Sequence, residues 1–185
     1  LDQLGNSEKS LRRALQLDGK LKGPSKLLEK VLQAQGKIEQ SGDLEKVNRQ
    51  ADELKRKLVE AGALFRSGDR AASEALCQEE LVQDTDNAGA KELMIEHALD
   101  SGRARYAEQL ARSLIRKMPE RLKWWLRLAA ALSRQDQLVE AQEAVEHVLH
   151  IDADKSEARM LLGDIYSKDN RFQEALEQYD LVLEK

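Results

Sequence analysis

Apolar residues recur along most of the chain with the alternating three- and four-residue steps of amphipathic helices. Such steps place side chains on one helix face, because an α-helix has ~3.6 residues per turn. The longest stripe predicts a single helix over about 44–66, with a length of about 35 Å at ~1.5 Å per residue. Its members are Leu44, Val47, Ala51, Leu54, Leu58, Ala61 and Phe65.

Shorter helices are predicted ahead of this one. Residues 10–17 have helical spacing, and Asp18-Gly19 is predicted to close their helix. Gly23-Pro24-Ser25 then opens a helix to about Gln40, because proline suits the first helical turn and serine caps a helix start well. Ser41-Gly42-Asp43 is predicted to be the turn that precedes the long helix.

A period of 34 residues organises the chain from Gly68 onward. One column holds residues that tolerate the left-handed backbone that closes a helix: Gly68, Gly102, Asp136 and Asn170. A second column is small: Ser73, Ala107, Ala141 and Ala175. A third is large and aliphatic: Leu81, Ile115, Leu149 and Leu183. A fourth is apolar: Leu64, Ala98, Leu132 and Tyr166.

These columns predict helix–turn–helix units. The small residue lets the second helix approach the first, and the large aliphatic residue fills the space against the following unit. A single hairpin cannot bury its apolar stripe alone, so neighbouring units must stack. The predicted division is 1–53 as degenerate helical repeats with the start of the long helix, then repeats over 54–87, 88–121, 122–155 and 156–185. Stepping back from Gly68 reaches Ala34, so the predicted turn at Gly42 lies eight residues out of phase.

Residues 54–185 resemble the tetratricopeptide family, whose signature is Trp-x2-Leu-Gly-x2-Tyr, then Ala-x3-Phe, then Pro. The last unit contains Leu162-Gly163-x2-Tyr166 and Ala175-x3-Tyr179. The unit before it contains Trp125-x2-Leu128 and Ala141-x3-Val145, and the one before that has Pro119 in the proline position. The unit near Leu54 is degraded: it has Glu60, Ser73 and Thr85 in place of Leu, Ala and Pro. The resemblance implies an all-α fold, a right-handed α-solenoid of stacked antiparallel hairpins.

Composition agrees with an all-α chain. Charged residues make up 35% and aromatic residues 4% of the sequence, and only two prolines interrupt it. The formal net charge of −4 gives no strong field for nucleic acid or an anionic membrane. No run of 18 apolar residues predicts a membrane span, and Cys77 has no partner for an internal disulfide. Because the sequence starts at Leu1 rather than at a methionine and stops at Lys185 inside a helical pattern, we expect it to be part of a longer protein.

Candidate chemistry is sparse, and no enzyme activity, cofactor or metal site is predicted. His147 and His150 share a helix face without a cysteine nearby, so a surface or capping role is favoured over a metal site. His97 has no triad pattern around it in the sequence, and Cys77 is interpreted as a small core residue. Trp124 is surrounded by basic residues, but it and its neighbour are expected to pack in the core, so nucleic acid is not favoured.

The resemblance implies that a protein or peptide partner is held on the concave surface, which the first helix of each hairpin lines. The family's groove-facing places make the groove acidic at the second unit, basic and apolar at the third, and mixed at the last. The Lys–Asn clamp that family members use for chaperone tails is absent. Reversing the charges of Lys123, Arg127 and Arg134 is expected to weaken partner binding without unfolding the array. The groove residues predicted in this way are Phe65, Arg66, Glu92, Glu96, Lys123, Leu126, Arg127, Arg134, Met160 and Asp164.

Two other functions remain open at this point. The stripe over 44–66 could pair with another chain as an assembly or spacer module, which includes a homo-oligomer. The alternative is that Leu27, Val31, Ala34 and Ile38 cover the stripe within one chain, which the short predicted turn favours. The style of the repeats is also similar to the periplasmic arms of bacterial outer-membrane proteins that export polysaccharide and recruit modifying enzymes. The compartment, periplasm or cytoplasm, is left open.

Overall fold

The structure is a computed structural model that describes residues 3–17 and 22–183. Every regular element within these ranges is an α-helix, as the sequence predicted, and none of these helices is long and apolar enough to cross a membrane. The chain divides into two compact units, Leu1–Val59 and Glu60–Lys185, which we call unit 1 and unit 2. The helices are α1 (Gln3–Leu17), α2 (Lys22–Ala34), α3 (Ile38–Ser67), α4 (Arg70–Gln83), α5 (Ala88–Asp100), α6 (Ala104–Lys117), α7 (Leu122–Ser133), α8 (Leu138–Ile151), α9 (Ser156–Lys168) and α10 (Phe172–Leu183).

In unit 1, helix α2 packs against α1 and is tied to the first half of α3 by polar side chains. Ser25 Oγ donates to Asn48 Oδ1 at 2.8 Å, and Asn48 Nδ2 donates to Glu29 Oε2 at 2.8 Å. The side chains of Leu28 and Leu32 on the same helix are buried. These contacts favour the interpretation in which α2 covers α3 within one chain.

The turn between α2 and α3 lies six residues earlier than the sequence predicted, so the prediction at Gly42 is wrong. Gly36 adopts φ 74° and closes α2, and Lys37 N donates to Leu32 O at 2.9 Å. Gly42 lies inside α3 instead, because a single helical glycine costs only about 1 kcal/mol relative to alanine. The turn is therefore two residues from the position that the period predicts at Ala34, and not eight.

The residues predicted to cover α3 are only partly the right ones. Val31 is buried, but Leu27 and Ala34 are exposed, because α2 turns Leu28 and Leu32 toward the core of unit 1. The side chain of Ile38 and the predicted turn at Asp18-Gly19 lie outside the described residues.

Unit 2 confirms the four turns that fixed the 34-residue period. Their φ angles are positive: 92° at Gly68, 74° at Gly102, 58° at Asp136 and 60° at Asn170. The same backbone hydrogen bond closes three of the preceding helices: from Arg103 N to Ala98 O (2.7 Å), Gln137 N to Leu132 O (3.1 Å) and Arg171 N to Tyr166 O (2.8 Å). The left-handed conformation turns the backbone so that the N–H group of the next residue reaches a carbonyl that the helix end leaves unpaired.

The core of unit 2 continues from one hairpin to the next. Ala107, Ala141 and Ala175 are buried where the two helices of a hairpin approach each other. At Gly163 the approach is closer still, since a Cβ atom there would lie 2.8 Å from Tyr179 Cζ. Each second helix also packs on the first helix of the next hairpin, so α4, α6 and α8 contact α5, α7 and α9. This part of the chain is a helical-repeat solenoid.

Candidate functional site: the A-helix face

Helices α5, α7 and α9 are the first helices of three hairpins in unit 2, and α7 contacts both of the others. We call the surface along which they adjoin the A-helix face. Lys123 on α7 reaches the carboxylate of Glu92 on α5, with Nζ at 2.7 and 2.8 Å from its two oxygens. Both side chains remain partly exposed, Lys123 at 51% and Glu92 at 36%. An ion pair exposed in this way contributes less than about 1 kcal/mol.

Arg127 on α7 connects three helices. Its Nε donates to Glu96 on α5, and its Nη1 donates to Glu157 on α9 at 2.9 Å. Burial by itself lowers the pKa of Arg127, but the carboxylates of Glu96 and Glu157 outweigh burial, and the pKa is raised. The guanidinium is therefore held in its charged form between two acidic side chains, with a fork of donors that suits two carboxylates at once.

Two further cations cap the C-terminal end of a helix in the preceding hairpin. Arg134 donates through Nη1 to the carbonyl of Leu99, and Lys168 donates through Nζ to the carbonyl of Ser133 at 2.9 Å. Each donor lies 35 residues after its acceptor, so the contact repeats with the architecture. The last carbonyls of a helix lack partners within the helix and carry partial negative charge, which a cation compensates.

These contacts give the predicted cations a structural role as well. Lys123, Arg127 and Arg134 were predicted to bind a partner, and each also binds the preceding hairpin of its own chain. Reversing all three charges would break contacts between neighbouring hairpins. A loss of partner binding in that variant could then result from a loss of stability. Leu126 is 1% exposed and lies in the core, so the prediction that it lines an accessible groove is wrong. Helix α9 packs on α7, and Leu126 belongs to the core cluster to which both helices contribute.

Of the other predicted groove residues, Phe65 and Arg66 lie on α3, and Met160 and Asp164 lie on α9. Arg66 and Met160 are exposed, and Asp164 accepts a hydrogen bond from Tyr179 Oη at 2.8 Å. Phe65 is half-buried, because Arg70 stacks over its ring at 3.6 Å and His97 meets the ring edge-on with centroids 4.8 Å apart.

Sequence reasoning missed a buried pair between Ser73 and His97, which lie 24 residues apart. Ser73 Oγ is 2.8 Å from His97 Nε2 and 2.7 Å from the carbonyl of Ala61. A serine hydroxyl has one proton, and a carbonyl only accepts, so the proton goes to Ala61 and His97 Nε2–H donates to Ser73. In that arrangement the histidine does not act as a base toward the serine. Both residues are buried, which leaves no access for a substrate.

The environment of His97 predicts an acid-sensitive fold. Burial lowers the pKa of His97 below its ordinary 6.5, Glu74 and Asp100 oppose this shift, and Arg70 and Arg103 add to it. Above about pH 6.5 the imidazole is neutral in both folded and unfolded chains, so it adds no pH dependence. As the pH falls below that value, the unfolded chain takes up the proton more readily than the folded chain, and the free energy of unfolding decreases.

We therefore expect the urea midpoint of unfolding to fall between about pH 7 and pH 5, with a shallower fall in His97→Gln. The imidazole signals of His97 in NMR spectra should also titrate below pH 6.5, since burial lowers the pKa of this group. A His97 imidazole that titrates at or above pH 6.5 would contradict the assignment.

The other side chains considered as reactive or ligand-binding, Cys77, Trp125 and His147, have structural roles. Burial raises the pKa of the Cys77 thiol to about 11, helped by Glu74 and Glu80, so the thiol is not a reactive thiolate near neutral pH. Trp125 donates through Nε1 to the carbonyl of Pro119 at 2.9 Å, and its ring packs on His147. Among the described residues, no three or more His, Cys, Asp or Glu side chains are grouped so as to hold a metal ion.

Known structures with the same architecture include the protein MamA from Desulfovibrio magneticus RS-1. It is 15% identical over 88% of this chain and 93% of its own, with a TM-score of 0.65. TTC0263, a thermophilic tetratricopeptide protein of Thermus thermophilus, is 15% identical over 70% of this chain and 73% of its own, with a TM-score of 0.64. At these identities the likeness shows the fold.

A mutant O-GlcNAc transferase of Thermobaculum terrenum is 26% identical over 64% of this chain, with a TM-score of 0.60. The match covers only 23% of the transferase chain, and nothing among the described residues of this protein indicates catalysis. Comparison with curated proteins gave no match.

Two models of the tetratricopeptide repeat match the sequence itself, one over residues 98–157 and the other over residues 156–184. They cover the turns at Gly102, Asp136 and Asn170 but not the hairpin of α3 and α4. Residues 98–184 of the chain therefore belong to the tetratricopeptide-repeat family, whose folds act as protein-interaction scaffolds.

Proposed function

We propose that this protein is a scaffold that holds a protein partner along the A-helix face of unit 2. The observation that carries this proposal is the line of charges across α5, α7 and α9. Its side chains connect neighbouring hairpins and still reach solvent: Lys123 is 51%, Glu157 54% and Arg127 34% exposed. A partner can therefore contact them without unfolding the array.

The chemistry of the face favours a partner segment that carries charges of both signs. Acidic Glu92 and Glu96 lie beside basic Lys123 and Arg127, so the face has no large field of one sign. A segment that presents an acidic group to Lys123 and a basic group to Glu157 would extend the existing ion pairs. Such complementarity sets register and specificity more than raw affinity, and binding should weaken as salt is added.

The other candidate roles have less support. The polar ties of Asn48 to α2 leave the assembly role of α3 weaker than the scaffold role. The role as a periplasmic export arm rests on repeat style alone and stays a hypothesis.

Photo-crosslinking in the native cell tests the proposal. A photoreactive phenylalanine analogue at Lys123 reports on the A-helix face, and the fold should tolerate it because that ion pair is exposed. The matched control carries the analogue at Val139, which is exposed on α8 outside the A-helix face. We expect a discrete protein adduct from position 123 and none from position 139. An adduct from position 139 alone, or from neither position, would refute binding on this face.

A further inference from the structure

We infer that a cavity in unit 1 binds a small aromatic acid, a planar ring system of the size of indole that carries a carboxylate. The cavity has a volume of about 560 Å³ and lies between α1, α2 and the start of α3. Ligand pockets typically have volumes of about 300–1,000 Å³. We call this space the unit 1 cavity, and its apolar wall comprises Leu15, Leu28, Leu32 and Leu44. The inference is independent of binding on the A-helix face.

A cavity of the same construction in unit 2 shows what kind of group fits. The turns that close α2 and α7 each have one left-handed residue, and these two residues are 100 positions apart. The contacts follow the same offset: Arg12 Nη2 donates to Gln40 Oε1 at 2.8 Å, and Arg112 Nη2 donates to Glu140 Oε2 at 2.8 Å. Six of the residues that line the unit 1 cavity have their equivalents around this second space, which we call the unit 2 cavity.

An indole side chain takes up much of the unit 2 cavity. Trp125 lines it, and the remaining volume is about 140 Å³. Helix α2 carries Ser25 at the equivalent position, and Ser25 donates to Asn48 and does not line the unit 1 cavity. The equivalent residues of α5 and α9 are also long, namely Lys91 and Arg159. The unit 1 cavity is therefore the place of a large side chain that α2 does not supply, and an aromatic ring system fits it.

Stacking of further hairpins does not cover this place in the array. The unit 2 cavity lies among α6, α7 and α8, with α5 packed on one side and α9 on the other. Two of its lining residues nevertheless reach solvent, since Arg112 is 43% and Glu140 53% exposed. A hairpin that stacks ahead of α1 would leave the unit 1 cavity accessible in the same way.

The polar side of the cavity favours a carboxylate on the ligand. In unit 2, Arg112 donates to two carboxylates, one on α6 and one on α8. In unit 1, Arg12 donates to the carboxylate of Glu8 and to the amide of Gln40. Glu8 also accepts a hydrogen bond from Lys37 at 2.6 Å, so two cations share this one carboxylate. A ligand carboxylate beside Arg12 would supply the negative charge that Gln40 lacks.

The remaining charged residue of the lining does not reverse this difference. Asp43 lines the unit 1 cavity and its equivalent Glu143 lines the unit 2 cavity, so both cavities carry this negative charge. The formal charges of the lining residues therefore cancel in unit 1, whereas Glu140 makes the unit 2 lining negative. An anionic ligand meets less repulsion in the unit 1 cavity than it would in the unit 2 cavity.

NMR spectroscopy of the whole chain with labelled leucine methyl groups tests this inference. The probe is indoleacetate, and the control ligands are uncharged indole and the cation tryptamine. We expect the methyl signals of Leu28, Leu32 and Leu44 to shift as indoleacetate is added, with a Kd of about 1 mM or tighter. The signals of Leu128 and Leu132, which line the unit 2 cavity, should not shift. Tryptamine should bind about fivefold more weakly or less well still.

Two variants copy the unit 2 cavity. Gln40→Glu gives Arg12 its second carboxylate at an exposed position, and it should weaken indoleacetate about fivefold and leave the affinity for indole unchanged. Ser25→Trp should fill the cavity and abolish the shifts, and circular dichroism reports whether this variant is folded. Its matched control is Leu27→Trp, at an exposed position of the same helix, which should bind as the unaltered chain does.

Absence of shifts at millimolar indoleacetate would overturn the inference, as would equal shifts in the two cavities. Unchanged affinity in Gln40→Glu, or equal affinity for indoleacetate and tryptamine, would refute an acid as the ligand. A folded Ser25→Trp chain that still binds would place the ligand elsewhere. Changes in the same methyl signals that grow with protein concentration, without ligand, would assign the cavity to a second copy and would also overturn the inference.

Discussion

Replacing Ala141 with arginine is expected to lower the free energy of unfolding by roughly 4 kcal/mol, the largest effect expected of any single substitution considered. Ala141 is fully buried where α8 approaches α7, and its column holds only small residues. An arginine there must push the two helices apart and bury a charge without a partner. The loss of stability should extend beyond one hairpin, since neighbouring hairpins share a continuous core.

Thermal unfolding followed by circular dichroism measures this effect. The matched control is Val139→Arg, two residues earlier on the same helix, because Val139 is exposed. We expect the melting temperature to drop by about 10 °C or more for Ala141→Arg and to change little for Val139→Arg. Equal melting temperatures for the two variants would show that the helices of this hairpin do not pack as described.

Arg127→Glu is expected to have the second largest effect, a loss of roughly 2 kcal/mol of stability. The substitution leaves three carboxylates, those of Glu96, Glu157 and the new residue, where two were held by one guanidinium. The cost of breaking a fully buried pair is reduced here because the Arg127 side chain is 34% exposed and partly screened by solvent.

Denaturant titration at low and high salt checks this prediction. Lys123→Glu on the same face is the control, and it should cost less because its ion pair is more exposed. We expect about 1 M salt to recover part of the stability of Arg127→Glu, because the Debye length is then ~3 Å. A loss of stability no larger than that of Lys123→Glu would mean that Arg127 does not link neighbouring hairpins.

The sequence predicted the fold well where the same backbone or packing requirement recurs in every hairpin. A left-handed backbone is needed once per hairpin, so Gly68 and its equivalents could be found by stepping through the chain. The turn of unit 1 was misplaced because Ser41-Gly42-Asp43 has the composition of a turn, whereas Gly36 supplies the positive φ. A glycine in the sequence does not reveal its own backbone angle, and α3 tolerates Gly42.

The site was harder to predict than the fold, because the sequence gives the position of a charge and not its partner. Glu92 and Lys123, like Glu96 and Arg127, are 31 residues apart, and this common offset is the signal that could have paired them. The pair of Ser73 and His97 has no such signal. Ser73 occupies a column of small residues, and its hydrogen bond to His97 has no counterpart in the units where alanine stands.

The proposed scaffold function requires a partner that lies across the first helices of the hairpins. Hydrogen–deuterium exchange of the chain alone and in complex with the protein captured from position 123 tests that claim directly. We predict that the complex slows amide exchange in α5, α7 and α9 and leaves α6 and α8 unchanged. Slower exchange confined to α6 and α8, with none in α5, α7 or α9, would contradict it.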